Sequence, residues 1–324
     1  MLYKRKSCIS IDGLLIDHPL EANIWQFPVD KQVEYLRSIA QAGCNQGTEE
    51  PKQFTEWIRW KLGNRITDEY MLPYNQKMFM NHLDDLGTYW MNKLPDVSFE
   101  DTLRSCLEKR AFGREPGHAS FYYPLQYGYG ELWHRMALSL GDRILYGQNA
   151  VSLDCAKRIV ATEKKQHFCA EHLVITIPWR DFWKIRNIPE RLMAHIRRLK
   201  HTQIQTEYFK SDIDTDAQWI YYPDLAKEYH RMLVCRNFYP GGQGFWTETN
   251  LGRASGKMRG VRKYINEYAY PLNTVEKPQL MEELLTWCRN RNIYGLGRWG
   301  EHMHYNSDVV VRRAFSLFEE LKHK

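Results

Sequence analysis

The sequence predicts an α/β fold of the mixed α+β kind, with helical and sheet segments interleaved along the chain. Three observations lead there. Between residue 29 and about residue 110, apolar residues recur at helical spacing. Between 203 and 270, β-branched and aromatic residues dominate and strong helix formers are few. Short strand-like runs lie around these stretches, and no repeat, low-complexity tract or linker separates them. With 324 residues, 43% of them hydrophobic, the chain has room for one large mixed domain or two ordinary ones, and ample apolar matter for a core.

Taken in order, Ser7-Cys8-Ile9-Ser10-Ile11 alternates as a strand does. Asp12-Gly13 is a hairpin turn, and Leu14-Leu15-Ile16 resumes the strand before His18-Pro19. Val33, Leu36 and Ile39 then share a helical face. Phe54, Trp57, Ile58 and Leu62 share another, which Gly63 ends, so the stretch reads as a helical bundle. Tyr127 to Gly130 forms a glycine-aromatic loop that runs into a helix over Leu132 to Leu140. Ala150–Leu153, Arg158–Thr162 and Leu173–Ile177 read as short strands, the last closed by Pro178. Residues 189–200 return to helix, 203–270 form antiparallel sheet, and about 278–290 is helix. A glycine-rich loop and a helix over Val309–Leu321 close the chain.

Composition narrows the function. Eleven Trp, 20 Tyr and 13 Phe exceed what a core of this size needs, and they suit a site that stacks a flat ring and hydrogen-bonds its edge. A net charge of +6 fits a small anionic ligand and does not by itself argue for nucleic acid. Seven scattered cysteines, odd in number and never spaced CxxC, predict reduced thiols in a cytoplasmic protein and exclude a disulfide framework or a zinc ribbon. Apolar runs are too short for a membrane span.

The one literal GxGxxG is Gly295-Leu296-Gly297-Arg298-Trp299-Gly300. A dinucleotide fingerprint needs an acidic residue about 20 positions on, at the end of a second strand, and only 24 residues follow Gly300. The segment is therefore not the start of a nucleotide-binding βαβ unit. It is still a glycine loop carrying an arginine into a helix that starts near Asn306 or Ser307, a natural place for an anion, although a purely structural loop gives the same pattern. Strand periodicity puts Trp219 and Tyr221 on one face, and Arg231 arrives from the next strand; packing of an aromatic sheet on helices would look alike. His302 and His304, with Asp308 nearby, do not provide three ligands at tetrahedral spacing, so no metal site is predicted.

In sequence order, these pieces resemble the eukaryotic-type UDP-galactopyranose mutases and the wider flavin amine-oxidase-like group. Phe54-x-x-Trp57-Ile58 with Tyr70-Met71-Leu72-Pro73-Tyr74-Asn75-x-Lys77-x-Phe79 is similar to that family's "EWI … PYNxKVW". Phe121-x-Tyr123-Pro124 with Gly128-x-Gly130-x-Leu132-Trp133 resembles "FRYPxxGGxGxxW". Trp219-x-Tyr221-x-Pro223 with Arg231 resembles its substrate strand pair, Tyr268-Ala269-Tyr270-Pro271 resembles "HGYP", and Gly297-Arg298-Trp299-Gly300 resembles "GRxG".

The resemblance implies that Arg231, Arg298, Tyr221 and Tyr270 hold a UDP diphosphate, that Asn75 and Phe79 line the nucleotide or sugar pocket, and that Trp219 sits on a mobile flap. It implies FAD as cofactor, with Gly128, Gly130, Gly297 and Asp308 on the flavin side, and a UDP-sugar as the partner molecule. It implies strands of the sheet or FAD region over 1–28, a helical bundle over 29–117 and part of an FAD-binding domain over 118–182. An antiparallel-sheet substrate domain over 183–276 and the C-terminal part of the FAD domain over 277–324 complete it. Two departures follow. His304 stands where the family has a tyrosine on the diphosphate, and His302 where it has a tryptophan. The strand-GxGxxG-helix that cradles the ADP half of FAD is missing as well, together with a loop histidine beside the flavin. The expectation is thus an incomplete FAD-binding (glutathione-reductase-like) domain, which would hold FAD only if a separate N-terminal FAD-binding polypeptide or an upstream reading frame supplies that unit. The function expected is pyranose-furanose isomerisation. An amine-oxidase-like oxidoreductase and a non-catalytic truncated homologue are the alternatives.

Overall fold

A computed structural model of the chain describes residues 1–45, 47–91, 97–112 and 119–322. The fold is mixed α/β, as the sequence predicts. In order, the chain forms β1 (Leu2–Lys4), β2 (Ser7–Ile11), β3 (Leu14–Asp17), α1 (Val29–Gly43), α2 (Phe54–Ile66), α3 (Leu72–Phe79) and α4 (Phe99–Glu108). There follow β4 (Ser120–Tyr122), α5 (Tyr129–Leu138), β5 (Ala150–Asp154), β6 (Ile159–Thr162), β7 (His167–Cys169), β8 (Leu173–Ile175), β9 (Lys184–Arg186) and α6 (Glu190–Arg198). Strands β10 (His201–Phe209), β11 (Trp219–Tyr221), β12 (Arg231–Val234), β13 (Phe245–Asn250) and β14 (Arg262–Pro271) come next. The chain ends with α7 (Lys277–Arg289), β15 (Ile293–Gly295), α8 (Gly297–Gly300) and α9 (Ser307–Lys322). Two compact units result, residues 1–139 with 202–267 and residues 140–201 with 268–324. The expected junction at 117/118 lies outside the described residues.

The first unit is built on a seven-stranded sheet of order β14-β10-β13-β12-β11-β2-β3. Its N-terminal hairpin turns at Asp12 (φ 52°) and Gly13 (φ 78°), both left-handed as a two-residue turn between twisted strands requires. The hairpin then joins the aromatic strands, with β2 parallel to β11, whereas β11, β12 and β13 pair antiparallel. Sequence reading expected antiparallel sheet only from 203 onward. The partnership of Ser7 with Trp219 and of Ile9 with Tyr221 is too distant in sequence for local patterning to reveal. Cys8, Ala217, Ile220, Met232 and Val234 fill the space behind this sheet.

The helices of this unit confirm the bundle and correct two of its details. On α1 the buried stripe is Tyr35, Ser38, Ile39 and Ala42, and Val33 is 48% exposed, because the Tyr35 ring, stacked 5.2 Å from Phe27, sets which face turns inward. Phe54, Trp57, Ile58 and Leu62 are all buried, as expected, but Gly63 kinks α2 without ending it. Its φ of 76° and the approach of Ser38, whose carbonyl oxygen would lie 2.3 Å from a Cβ there, leave room for glycine alone. Arg65 then donates its backbone N–H to the Ser38 hydroxyl at 2.9 Å. Helix α3 is tied to the sheet by Lys77, whose Nζ donates to the carbonyls of Tyr222 and Asp224 at 2.8 Å each, and by Asn250, which donates to the Met78 carbonyl at 2.8 Å.

The second unit contains a four-stranded sheet of order β7-β6-β5-β9 and a two-stranded parallel pair of β8 and β15. Strands β7 and β9, like β15 and α8, are too short and too polar at one end to stand out from the sequence. Trp179, Leu192, Leu284, Cys288 and Ile293 form the centre of its core. The 295–300 glycines serve packing here. A Cβ on Gly295 would lie 2.2 Å from the Gly300 carbonyl oxygen, and one on Gly300 would lie 2.0 Å from that of Ile175. Gly297 has a φ of 77°. No helix among the described residues is long and apolar enough to cross a membrane.

Candidate functional site

The first unit carries one group of the residues singled out above. Tyr221 and Arg231 are Cα partners in β11 and β12, so their side chains lie on one face of the sheet, and Arg231 is in turn the partner of Glu248 in β13. Arg231 donates from Nε to Glu248 Oε2 at 2.6 Å, and its Nη2 stands 2.5 Å from the same oxygen. Trp219 and Tyr221 share their face as periodicity predicts, and a residue that sequence reasoning passed over spans both. Arg5 lies with its guanidinium 4.9 Å from the Trp219 ring centre, donates from Nη2 to the Tyr221 hydroxyl at 2.7 Å, and donates from Nε to the Ser7 hydroxyl at 3.0 Å. The resemblance puts Trp219 on a mobile flap. Here it stands in an interior strand, with Phe238 4.8 Å and Phe121 5.3 Å away between ring centres.

Tyr74 on α3 meets Tyr221 edge-on at 5.4 Å and His230 at 5.9 Å. His230 is fully buried, and neither ring nitrogen has a hydrogen-bond partner among the described residues. Burial, with Arg231 and Lys77 nearby, holds it well below the ordinary histidine range, so it is neutral. Lys77 is fully buried too, and burial, with Arg253 adding to it, lowers its pKa to about 7. His18, 5.5 Å from Tyr221, is pushed down to about 3 by burial and by Arg5. Asn75 is buried and spends its side-chain N–H on the Met71 carbonyl at 2.7 Å. Phe79 is buried edge-on to Trp90 at 6.5 Å. Both belong to the helical packing more than to an open wall. Gly128, with a φ of 75°, begins α5, and a Cβ on Gly130 would meet nothing within 4 Å, so the backbone there is open to approach.

The second unit carries the other group. Arg298, on α8, lies 5.6 Å from the Tyr270 ring centre and donates to the carbonyls of Ala269 at 3.2 Å and Tyr305 at 2.9 Å. Burial lowers its pKa, with Tyr270 opposing, yet a guanidinium stays charged at neutral pH. His304 packs on Tyr270 at 4.8 Å and 34°, so the structure brings Tyr270, Arg298 and His304 together. His302 does not join them. It is buried, its Nε2 donates to the Lys200 carbonyl at 2.9 Å, and burial with nearby Lys277 lowers its pKa to about 3. The Gly297 N–H is used within the chain, donating to Glu301 Oε2 at 2.8 Å, and Glu301 is ion-paired with Arg313. Asp308 is exposed in the first turn of α9. Trp299, edge-on to Tyr268 at 5.4 Å and to His201 at 6.1 Å, is an aromatic neighbour that its glycine-rich surroundings hid in the sequence.

Arg5, Glu248, His230 and Trp299 were thus missed. Arg5 sits in a run of basic residues that reads as solvated surface, while a charge inside the β-pattern of Thr247-Glu248-Thr249 was the available signal for Glu248.

The fold is one that solved structures of a UDP-galactopyranose mutase and a putrescine oxidase share. The chain has a UDP-galactopyranose mutase-like fold: it is similar to a reduced UDP-galactopyranose mutase at a TM-score of 0.81 and 19% identity, covering 93% of this chain and 72% of that one. It is also similar to a CLA-producing fatty acid isomerase from P. acnes (TM-score 0.55, 14% identity, 96% and 80% covered) and to a putrescine oxidase bound to putrescine (0.51, 11%, 86% and 73%). No family model matches the sequence.

Proposed function

We propose that the chain is the substrate-binding part of a flavin-dependent protein that acts on UDP-sugars in the cytoplasm. The observation that carries this reading is the sheet face of Trp219, buried Tyr221, Arg5 and Arg231, which sets two guanidinium groups beside two aromatic rings. Such a face suits a nucleoside diphosphate, where the aromatic surface takes the base or sugar and charge-assisted hydrogen bonds take phosphate oxygens. Within the second unit, Arg298, Tyr270 and His304 form a group of similar chemistry, a guanidinium beside two rings. The imidazole of His304 can donate a hydrogen bond in place of a tyrosine hydroxyl.

FAD fits these residues in part. Gly130 leaves backbone open to a flat ring, whereas a Cβ at Gly128 would already meet the Tyr123 hydroxyl at 3.8 Å. The glycines of 295–300 are consumed by packing, and among the described residues no other glycine motif offers a cradle for the ADP half. We propose that a strand, GxGxxG and helix supplied by a separate polypeptide or by an upstream reading frame holds that half. Two features support this. Parallel strands normally lie in larger sheets covered on both faces, whereas β8 and β15 are a pair. Helix α9 has no buried residue and exposes Val311, Phe315 and Phe318 along one stripe. Bound reduced FAD would supply the nucleophile that exchanges pyranose and furanose forms of the sugar. This chain's residues would bind and orient the diphosphate and exclude water from the sugar.

Calorimetric titration of the purified chain with UDP, and flavin absorbance of the chain alone and mixed with the ADP-binding polypeptide, test the reading. Binding of UDP with flavin retained only in the mixture is expected. A second reading, oxidation of an amine or other non-nucleotide substrate, is favoured by His304 at the tyrosine position; flavin reduction by such a substrate without UDP binding would select it.

A further inference from the structure

We infer that Glu248 is a positioning residue for the anion site, one whose carboxylate strengthens diphosphate binding by holding Arg231, although its charge has the same sign as the ligand's. The inference rests on the sugar-nucleotide reading and names a residue that reading does not require.

Two effects of opposite sign meet at Glu248. Its carboxylate repels an anion approaching Arg231, and by charge alone its removal would tighten binding. Against this stands geometry. Nε and Nη2 of Arg231 both contact Glu248 Oε2, so one edge of the guanidinium is fixed and the plane of the group is set relative to the sheet. An arginine side chain has many rotamers, and one held in place loses less freedom when a ligand binds. The pair is well placed for this. The two residues are Cα partners on interior strands, with side chains 22% and 14% exposed, so solvent competes weakly for either. His230 stands 3.8 Å from the same carboxylate oxygen but is fully buried and neutral, so it does not draw the carboxylate's charge from Arg231. Holding Arg231 also holds it opposite Tyr221, whose hydroxyl is engaged by Arg5. Glu248 thus acts through Arg231 and needs no contact with ligand.

The sign of one substitution separates the two effects. Purified chain is titrated calorimetrically with UDP and, separately, with inorganic pyrophosphate, as wild type, Glu248→Ala, Glu248→Gln, Arg231→Ala and the Ala-Ala double variant, with thermal melting as a folding control. Positioning predicts that Glu248→Ala weakens binding about tenfold. Glu248→Gln, which keeps an acceptor oxygen, should lose only part of that, and Glu248→Ala should add nothing once Arg231 is already alanine. Affinity that is unchanged or tighter in folded Glu248→Ala overturns the inference and leaves the sugar-nucleotide reading standing. If the alanine variant does not fold, Glu248→Gln decides on its own: a loss of severalfold upholds positioning, and equal or tighter binding overturns it. Wild type that binds neither UDP nor pyrophosphate overturns both readings together.

Discussion

Arg5 donates a 2.7 Å hydrogen bond to the Tyr221 hydroxyl across 216 residues of sequence, while its guanidinium lies over the Trp219 ring. One cation thereby locks two aromatic side chains of β11 into a single surface. Replacing Arg5 with alanine removes a charge-assisted hydrogen bond and a stacked cation, losses of about 1–3 kcal/mol together at a partly buried position. UDP affinity measured by calorimetry should fall about tenfold or more. Arg5→Lys should recover little, because an ammonium cannot donate as a fork while stacking flat on an indole. Wild-type affinity in the lysine variant would show that charge alone matters at this position.

The glycines at 295–300 make a stability prediction with an internal control. A Cβ at Gly300 would sit 2.0 Å from the Ile175 carbonyl, a contact with backbone that cannot rotate away. Gly300→Ala should destabilise the chain by about 3 kcal/mol or more, at the upper end for single substitutions. Gly130, inside α5 with nothing within 4 Å of a Cβ, should accept alanine with a gain of up to about 1 kcal/mol. Denaturant unfolding of both variants checks the contrast, and equal effects would refute the packing role of the motif.

Stability should also depend on acid through His302. Its pKa is about 3 in the folded chain and near 6.5 when unfolded, the shift arising first from burial. Above pH 6.5 both states are neutral at this residue and pH has no effect. Between 6.5 and 3 the unfolded chain takes up a proton that the folded chain refuses, so stability falls as pH falls. His302→Asn keeps an N–H for the Lys200 carbonyl and removes the titration. Urea midpoints measured from pH 7 to pH 4 should therefore decline less steeply in the variant, by about one proton's worth of slope. An unchanged slope would assign the acid sensitivity elsewhere, with His18 and His230, both also depressed, the next to test.

What the sequence made legible follows from the range of the interactions involved. Helical and strand periodicity is local, so α2, α6, α7 and α9 could be located within a few residues, as could the Asp12-Gly13 turn and the sheet region that holds β10 to β14, though not its separate strands. The facing of Tyr221 and Arg231 was legible too, since strand alternation and one hairpin-like return suffice to place it. Arg5 at Tyr221, Glu248 at Arg231 and Ser38 against Gly63 were not, because each joins residues that only tertiary packing brings together. The stripe on α1 was misplaced for the same reason: Tyr35 outweighs Val33 only once Phe27 is there to stack on it. Glycines were read correctly as constraints, but whether they yield to a ligand or to a neighbouring strand depends on what lies within 3 Å, and at 295–300 that is the chain's own backbone.

Helix α9 provides the last prediction. Val310, Arg313 and Glu320 turn one side of it inward, where Val310 lies against Gly297, Arg313 pairs with Glu301, and Glu320 pairs with Arg289. Val311, Phe315 and Phe318, at i, i+4 and i+7, form a second stripe, with Phe315 69% and Phe318 59% exposed. Exposed aromatics at this spacing contribute little to the stability of the chain itself, so Phe315→Glu and Phe318→Glu should shift its unfolding free energy by no more than about 0.5 kcal/mol. Burial of two phenyl rings against a partner is worth about 2–3 kcal/mol each, so if the stripe docks the proposed ADP-binding unit, the same pair of substitutions should abolish that association and, with it, retention of flavin. Co-purification and flavin absorbance measure the second effect, and thermal melting the first. A double variant that melts as early as a core substitution would mean that the stripe is already covered within the chain, and a double variant that still holds its partner and flavin would place the docking surface elsewhere.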